Sequence, residues 1–286
     1  MFSVGVVHTE LSFCSRMATS KPPNRYFRLI ERIFHSNYKA GAAEVDFERH
    51  EIESTAKKLR IKLPKNQGDL IYSFRSRVPL PESIRRLAPP GKEWIIRPAG
   101  RSKYRFALVA EWIVAPNPIF SAIKVPDATP GLIEKYHLSD EQALLAKLRY
   151  NRLIDIFVGI TCYSLQNHLR TTVANMGQVE TDEVYIGVDR FGVHYVIPVQ
   201  AKGGKDRLTV VQIEQDLAMA SEKFPGLICR AIAAQFMDEG IIALFEFETG
   251  EKGVTIRAER HYQLVPPDKL SAEDLDSYRK NRSELP

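Results

Sequence analysis

The sequence predicts an α/β (α+β) protein with two domains. Two runs rich in β-branched and aromatic residues, 184–188 and 193–199, are typical of strands. Charge is distributed unevenly: residues 21–111 hold 20 basic and 10 acidic residues, although the whole 286-residue chain has a net charge of only +5. Prolines spaced through 113–138 predict a boundary, because proline does not continue a helix. The expected parts are a tail (1–24), a basic domain (25–112), a linker (113–138), a domain with a mixed sheet flanked by helices (139–265) and a second tail (266–286).

Four polar residues are expected to meet at the open end of the hairpin that the two strand-like runs form. Gly192 can adopt the positive φ that a tight three-residue loop needs. This loop would set Asp182 opposite Gln200 and Glu180 opposite Lys202. Because residues two apart on a strand share a face, all four side chains are predicted to lie on one patch.

The order of an acid, a hairpin and a hydrophobic strand ending in x-x-Lys resembles the PD-(D/E)XK nuclease superfamily, the fold of many restriction endonucleases. The resemblance covers roughly residues 140–250. It implies a restriction-endonuclease-like core and Mg²⁺- (or Mn²⁺-) dependent hydrolysis of DNA. Asp182 then matches the first metal ligand, and Lys202 matches the lysine that orients the attacking water. Gln200 replaces the second acid of the pattern, and its amide oxygen can bind a hard cation. Glu180 is a further candidate ligand.

The helices on either side of the hairpin hold weaker candidates. A capping box predicts the start of a long helix over 139–171, bent near its middle. Asp155 lies within it, as a candidate extra acid or as a structural aspartate. Gln212 and Gln215 lie on a second predicted helix, 209–223, and could contribute an amide to the site or belong to a solvated face.

The basic domain has the outline of a winged helix-turn-helix. Three helical segments precede a two-stranded hairpin: 26–34, 46–59, 67–75, 93–97 and 104–112. On this interpretation the third helix enters the major groove of double-stranded DNA, with Asn66, Gln67 and Arg75 as candidate base contacts. The candidate phosphate contacts are Lys57, Lys58, Arg60, Lys62, Lys65, Arg75, Arg77, Arg97, Arg101, Lys103 and Arg105. A small α+β domain that only covers the second domain is the alternative.

The remaining features narrow the function classes. Three cysteines without a CxxC pair argue against a disulfide framework or a zinc site and favour a cytoplasmic protein. No run approaches the roughly 20 apolar residues that cross a bilayer, and GxSxG is absent. The sequence therefore predicts a restriction-type endonuclease, for which a homodimer would let two sites cut two strands. A DNA-binding regulator with a catalytically degenerate nuclease-like domain is the main alternative, and a different hydrolase or a plain interaction protein is the other.

Overall fold

The computed structural model describes residues 25–283, except 66, 77, 111–113, 137–140, 175, 204–207 and 251–252. This part of the chain is a mixed α/β structure with a three-stranded sheet followed by an eight-stranded one. Helices flank the larger sheet. Within the described ranges, no helix is both long enough and apolar enough to traverse a bilayer.

The first unit carries its helices on the small sheet. Its elements are α1 (Arg25–Asn37), β1 (Glu44–Glu48), α2 (Arg49–Leu59), α3 (Gln67–Ser76), α4 (Glu82–Arg85), β2 (Lys92–Pro98) and β3 (Lys103–Ala110). The strand order is β1-β3-β2, and both pairings are antiparallel. Aromatic packing holds the helices to the sheet, with the ring of Phe34 5.0 Å from that of Phe106 and 5.1 Å from that of Trp94.

The second predicted helix begins three residues later than expected, because a strand precedes it. Residues 44–48 alternate between exposed and buried positions, with Val45 and Phe47 inward, which is the period of a strand. Helix α2 therefore starts at Arg49. It ends where Arg60 takes a left-handed conformation with φ of 53°.

The larger unit is built from the remaining elements. They are β4 (Ile123–Pro126), α5 (Gly131–Tyr136), α6 (Glu141–Tyr150), α7 (Leu153–Val158), β5 (Thr161–Val173), β6 (Gly177–Val188), β7 (His194–Lys202), α8 (Val210–Lys223), β8 (Ile228–Cys229), β9 (Ala231–Phe236), β10 (Ile241–Gly250), β11 (Gly253–Val265) and α9 (Ala272–Ser283). The strand order is β4-β11-β10-β9-β7-β6-β5, with β8 beside β7. Strands β7 and β9 run parallel, and α8 forms the crossover between them.

Two helical layers cover the large sheet. Helices α6 and α7 pack on one face around Leu144, Leu148 and Ile197, and α8 packs on the other around Ile213 and Met219. Strand β2 of the first unit also reaches the α8 layer. Its Ile95 packs against the hydrophobic cluster that contains Val211 and Ile213 of α8, and Arg97 Nη2 lies 2.5 Å from Glu214 Oε1.

The long continuous helix predicted over 139–171 is wrong. It is interrupted between Tyr150 and Leu153, where Arg152 is left-handed with φ of 49°, and it does not extend beyond residue 158. Helix α7 ends at Gly159, whose φ of 74° lies in the left-handed region that glycine adopts readily. The chain then extends into β5, the outer strand of the large sheet. Ser139 and Asp140 of the predicted capping box lie outside the described residues.

Segments expected as linker and tail take part in the structure. Strand β4, within the proline-rich stretch, pairs in parallel with β11. Helix α9 lies against it, because Lys124 Nζ is 2.9 Å from Asp274 Oδ2 and the Lys124 backbone amide donates to Tyr278 Oη at 2.9 Å. The polar sequence of α9 gave no signal for a packed helix, because its contacts are with a strand about 150 residues away in the sequence.

The predicted register of the central hairpin is confirmed. Strands β6 and β7 pair from Val188↔His194 to Glu183↔Val199, the alignment expected for a three-residue loop. The loop closes through Gly192, whose φ is 78°.

Substituting Gly192 with Ala is expected to destabilise the protein by about 1 kcal/mol, because an L-residue is strained at this positive φ. Chemical denaturation would measure the change. Gly131→Ala is the matched control, since an added Cβ there meets no atom within 4 Å and the backbone is not left-handed. Equal effects of the two substitutions would contradict the prediction.

Candidate functional site

Strand β6 breaks its alternation at Asp182. Thr181 Oγ1 donates to Asp216 Oδ1 of α8 at 2.6 Å, whereas Glu183 accepts a hydrogen bond from Arg149 Nε of α6 at 3.0 Å. Residues two apart share a face in a regular strand, yet these two contact helices on opposite faces of the sheet. The break leaves Asp182 where the strand changes face.

The carboxylate of Asp182 is held by the neighbouring strand. Its Oδ2 accepts a hydrogen bond from the backbone amide of Ala201 at 2.8 Å. The regular pairing of β6 with β7 ends just before this point, at the pair Glu183↔Val199. A side-chain oxygen therefore satisfies an amide that would otherwise belong to the ladder, and the carboxylate is fixed at the end of β7.

Two further charged groups act on Asp182. Lys202 is 9% exposed, and its Nζ lies 3.2 Å from Oε1 of Glu141, the first residue of α6. Burial raises the pKa of Asp182 and the charge of Glu141 adds to the rise, while the Lys202 ammonium and the Ala201 amide oppose it. We call Glu141, Asp182 and Lys202 the carboxylate–lysine cluster.

Gln200 belongs to a second group of polar side chains, on the α8 side of the sheet. Its Nε2 donates to Oδ1 and Oδ2 of Asp216 at 3.2 and 3.0 Å, and its Oε1 accepts from Gln212 Nε2 at 3.3 Å. With Thr181 these residues form the buried amide network. All four are buried, and Asp216 is 0% exposed. Burial raises the pKa of Asp216 to about 7, against the hydrogen bonds from Thr181 and Gln200.

The expected convergence of four side chains is therefore only partial. Asp182 and Lys202 act on each other, whereas the side chain of Gln200 bonds α8. Glu180 points to β5, where its Oε1 lies 2.9 Å from Arg170 Nη2 and 4.0 Å from His168 Nδ1. The register was right, but the break at Asp182 alters which side chains share a face.

The weaker candidates have structural contacts. Asp155 pairs with Arg152, and its Oδ1 accepts from the Cys162 backbone amide at 2.9 Å, which joins α7 to β5. Gln212 also caps α8, because its Oε1 accepts from the Thr209 backbone amide at 3.2 Å. Gln215 is buried on the same helix.

Sequence reasoning missed Glu141 and Asp216. The signal available for Glu141 is an acid in the first turn of the helix that precedes the hairpin. Asp216 lies on the buried side of α8. Its available signal was the i,i+4 spacing from Gln212, which puts both side chains on one side of α8.

Several basic residues predicted to contact DNA are engaged within the protein. Arg97 bonds Glu214, and Arg105 bonds Asp46 through Nε at 2.6 Å. Arg75 is half-buried, and burial lowers the pKa of its guanidinium. Gln67 bonds Arg49 and Glu53, and Lys103 lies 3.9 Å from Glu48. Arg101 is exposed. Asn66 and Arg77 lie outside the described residues.

Exposed positive charge lies instead at the end of α2 and in the loop that follows. We define the basic segment as the exposed residues Lys57, Lys58, Arg60, Lys62 and Lys65. Among the residues that the structure describes, no carboxylate pairs with any of them, and no acid interrupts 57–65 in the sequence. The segment leads into α3. The hydrogen bond with Glu180 raises the pKa of Arg170 in β5, and the charges of Tyr72 and Asp69 in α3 raise it further.

The carboxylate–lysine cluster has the chemistry to bind one small divalent cation. Mg²⁺ commonly takes one or two carboxylates and completes its shell with waters and substrate phosphates. Asp182 and Glu141 supply two carboxylates near each other, and Asp182 Oδ1 accepts no hydrogen bond from the described residues. No set of three or more His, Cys, Asp or Glu residues suited to a metal occurs in the described ranges.

The stability of the protein is expected to depend on Asp216. Its folded pKa of about 7 exceeds the unfolded value of 3.8, so the native state binds the proton more tightly. The stabilisation is complete below about pH 4 and is lost as the pH rises toward 7. The fall in melting temperature between about pH 5 and pH 8 should therefore be smaller, by a few degrees, in Asp216→Asn. The exposed Asp238→Asn is the control, and an unchanged fall in Asp216→Asn would contradict the assignment.

We compared the chain with protein-family models, curated proteins and solved structures. No family model, no curated protein and no solved structure matches the chain.

Proposed function

We propose that the chain is a metal-dependent, restriction-type DNA endonuclease with a restriction-endonuclease-like core and an N-terminal winged-helix-like domain. The observation that carries the proposal is the carboxylate–lysine cluster at the end of the β6–β7 hairpin. An acid on one strand and a lysine at the end of the next come together as the family resemblance requires. Gln200 is not used as a cation ligand in this proposal, because its oxygen is engaged with Gln212.

The chain topology supports the first half of the proposal. Helix α6 and α7 precede three antiparallel strands, β5 to β7, and α8 then leads to β9, which lies parallel to β7. This is the helix, hairpin, helix, strand order expected of the nuclease core. The order β1-β3-β2 in the small sheet, with the helices α1 to α3 before the β2–β3 hairpin, supports the winged-helix interpretation.

The residues of the cluster would divide the work of phosphodiester hydrolysis. Asp182 and Glu141 would hold a divalent cation, which when bound polarises a phosphoryl oxygen and lowers the pKa of its water. The Lys202 ammonium would donate to a non-bridging phosphoryl oxygen and stabilise the charge that develops there. Water adds its oxygen to phosphorus, the bond to the leaving oxygen breaks, and that oxygen takes up a proton.

The basic segment would hold the DNA backbone near this site. Its five cations are exposed and have no carboxylate partner among the described residues. The α3 helix that follows the segment acts on Arg170 of β5, next to the β6 strand that carries Asp182. Phosphate binding would therefore begin at 57–65 rather than at Arg97 and Arg105, which are engaged in ion pairs.

A DNA-binding regulator without nuclease activity is the second candidate. The observation in its favour is that β7 carries Gln200 where the nuclease pattern has a second acid, and that the amide of Gln200 is bonded to α8. This reading retains the basic segment and treats the cluster as a structural ion pair.

Lys202→Ala is expected to reduce plasmid cleavage with Mg²⁺ or Mn²⁺ by at least about 100-fold, because a charge donor to the transition state is lost. DNA affinity should change little. Lys223→Ala, which removes an ammonium paired with Glu222 at the far end of α8, is the matched control. Circular dichroism would verify that each variant is folded. DNA that is bound by the wild-type protein but never nicked would favour the regulator.

The double substitution Lys58→Gln/Lys62→Gln is expected to weaken DNA binding and to reduce the slope of log K against log salt by about 1 to 2, since each phosphate contact contributes about 0.9. Fluorescence anisotropy over a salt series measures this slope. Arg86→Gln is the control, because Arg86 is already paired with Glu82. A slope that moves equally in both variants would assign the binding to overall charge.

A further inference from the structure

We propose that Asp216 supplies, from helix α8, the negative charge that the nuclease pattern places at position 200, and that Gln200 and Asp216 act as one amide–carboxylate pair supporting cation binding. This inference rests on the proposed function. It gives Asp216 the role of a positioning residue, since its carboxylate contacts Gln200 and Thr181 and does not itself reach the cluster by a hydrogen bond.

The hydrogen bonds fix which end of each amide points where. Gln212 Oε1 accepts from the Thr209 backbone amide, so its Nε2 is the group directed at Gln200. Gln200 must therefore present Oε1 to Gln212 and Nε2 to Asp216. The cap of α8 thus determines that the group facing Gln200 on the helix is an acceptor, which a carboxylate provides.

Packing alone does not account for the carboxylate. Asp216 is fully buried, and within the described residues no cation lies within 4.0 Å of it. Its partners are neutral, a hydroxyl and an amide. Burying a carboxylate without a counter-charge is costly, and an apolar residue of similar volume would avoid that cost.

The charge of Asp216 interacts with two members of the cluster. They are Asp182, which has the same sign, and Lys202, which has the opposite sign. Thr181 precedes Asp182 in β6, and Gln200 lies two residues before Lys202 in β7, so the pair is attached to both strands of the site. A divalent cation held by Asp182 and Glu141 would also be attracted by the carboxylate of Asp216, which would not touch it.

Exchanging the two side-chain types provides the test. In Gln200→Glu/Asp216→Asn the carboxylate moves to β7 and the amide to α8. The hydrogen bonds with Gln212 and Thr181 and the one between positions 200 and 216 can be remade, whereas the bond from Gln200 Nε2 to the Glu180 carbonyl oxygen at 3.3 Å is lost. The new carboxylate accepts from Gln212 and from the amide at 216, and the oxygen at 216 still accepts from Thr181. Neither side chain changes its size appreciably, so the exchange tests charge and polarity rather than volume.

Mn²⁺ binding measured by isothermal titration calorimetry at about pH 8, without DNA, is the readout, because Asp216, whose pKa is raised to about 7, is mostly ionised there. Asp216→Asn is expected to raise the Kd for Mn²⁺ by about 10-fold, as outer-shell substitutions commonly do. The exchange variant should return the Kd to within about 3-fold of wild type. Asp238→Asn, exposed in a turn, should leave the Kd unchanged. Thermal unfolding without metal verifies that each variant is folded.

Two results would overturn the inference. An unchanged Kd in folded Asp216→Asn would make the buried amide network purely structural. A weakened Kd that the exchange variant does not restore would show that the geometry at 216, and not the charge, is required. Plasmid cleavage by the wild-type protein is scored separately. Cleavage with Mn²⁺ affinity independent of Asp216 defeats this inference alone, whereas Asp216-dependent Mn²⁺ binding without cleavage defeats the endonuclease proposal and leaves the inference standing.

Discussion

The hydrogen bond from the Ala201 backbone amide to the Asp182 carboxylate is the constraint on which the site depends. It ends the regular pairing of β6 and β7 and lets β6 change face between Thr181 and Glu183. Without that change, successive polar residues of β6 would be divided between the helical layers in a fixed alternation. With it, the hydroxyl of Thr181 bonds α8 and the carboxylate of Glu183, two residues later, bonds α6.

The two polar groups on either side of the hairpin end have different exposure and different chemistry. The carboxylate–lysine cluster lies where α6 begins, and it contains groups that a solvent-borne cation could reach, since Asp182 and Glu141 are not fully buried. The buried amide network is closed to solvent and satisfied by neutral donors. Because the network is buried, solvent screens its charge less than it would screen an exposed charge, and the electrostatic effect of the network on the cluster is stronger.

Much of the large unit could be predicted from the sequence, because hydrophobic period and turn residues are local signals. The β6–β7 hairpin, its register and helix α8 follow from β-branched runs, Gly192 and an amphipathic stretch. Strand β5 could not be separated from the helix before it, since its mostly exposed residues carry no clear period and only Gly159 marks the boundary.

The composition of the site was less predictable than its location. Asp182 and Lys202 were recognisable from spacing along two adjacent strands. The face of Gln200, the ion pair of Glu180 with Arg170 and the roles of Glu141 and Asp216 depend on a break in the strand and on helices packed from either side. Likewise, Arg97 looks like any other basic residue until its partner Glu214, 117 residues away, is in view.

The junction between strand β2 and helix α8 has a mechanical consequence. Ile95 packs against the hydrophobic cluster that includes Val210, Val211 and Ile213 of the helix. Arg97 is paired with Glu214, which lies two residues from both Gln212 and Asp216 along the helix. Movement of one unit against the other at this helix would expose apolar surface and break an ion pair. If a duplex is bound by the first unit and cut by the second, as we propose, this contact would set the distance along the duplex between the bound position and the cleaved bond.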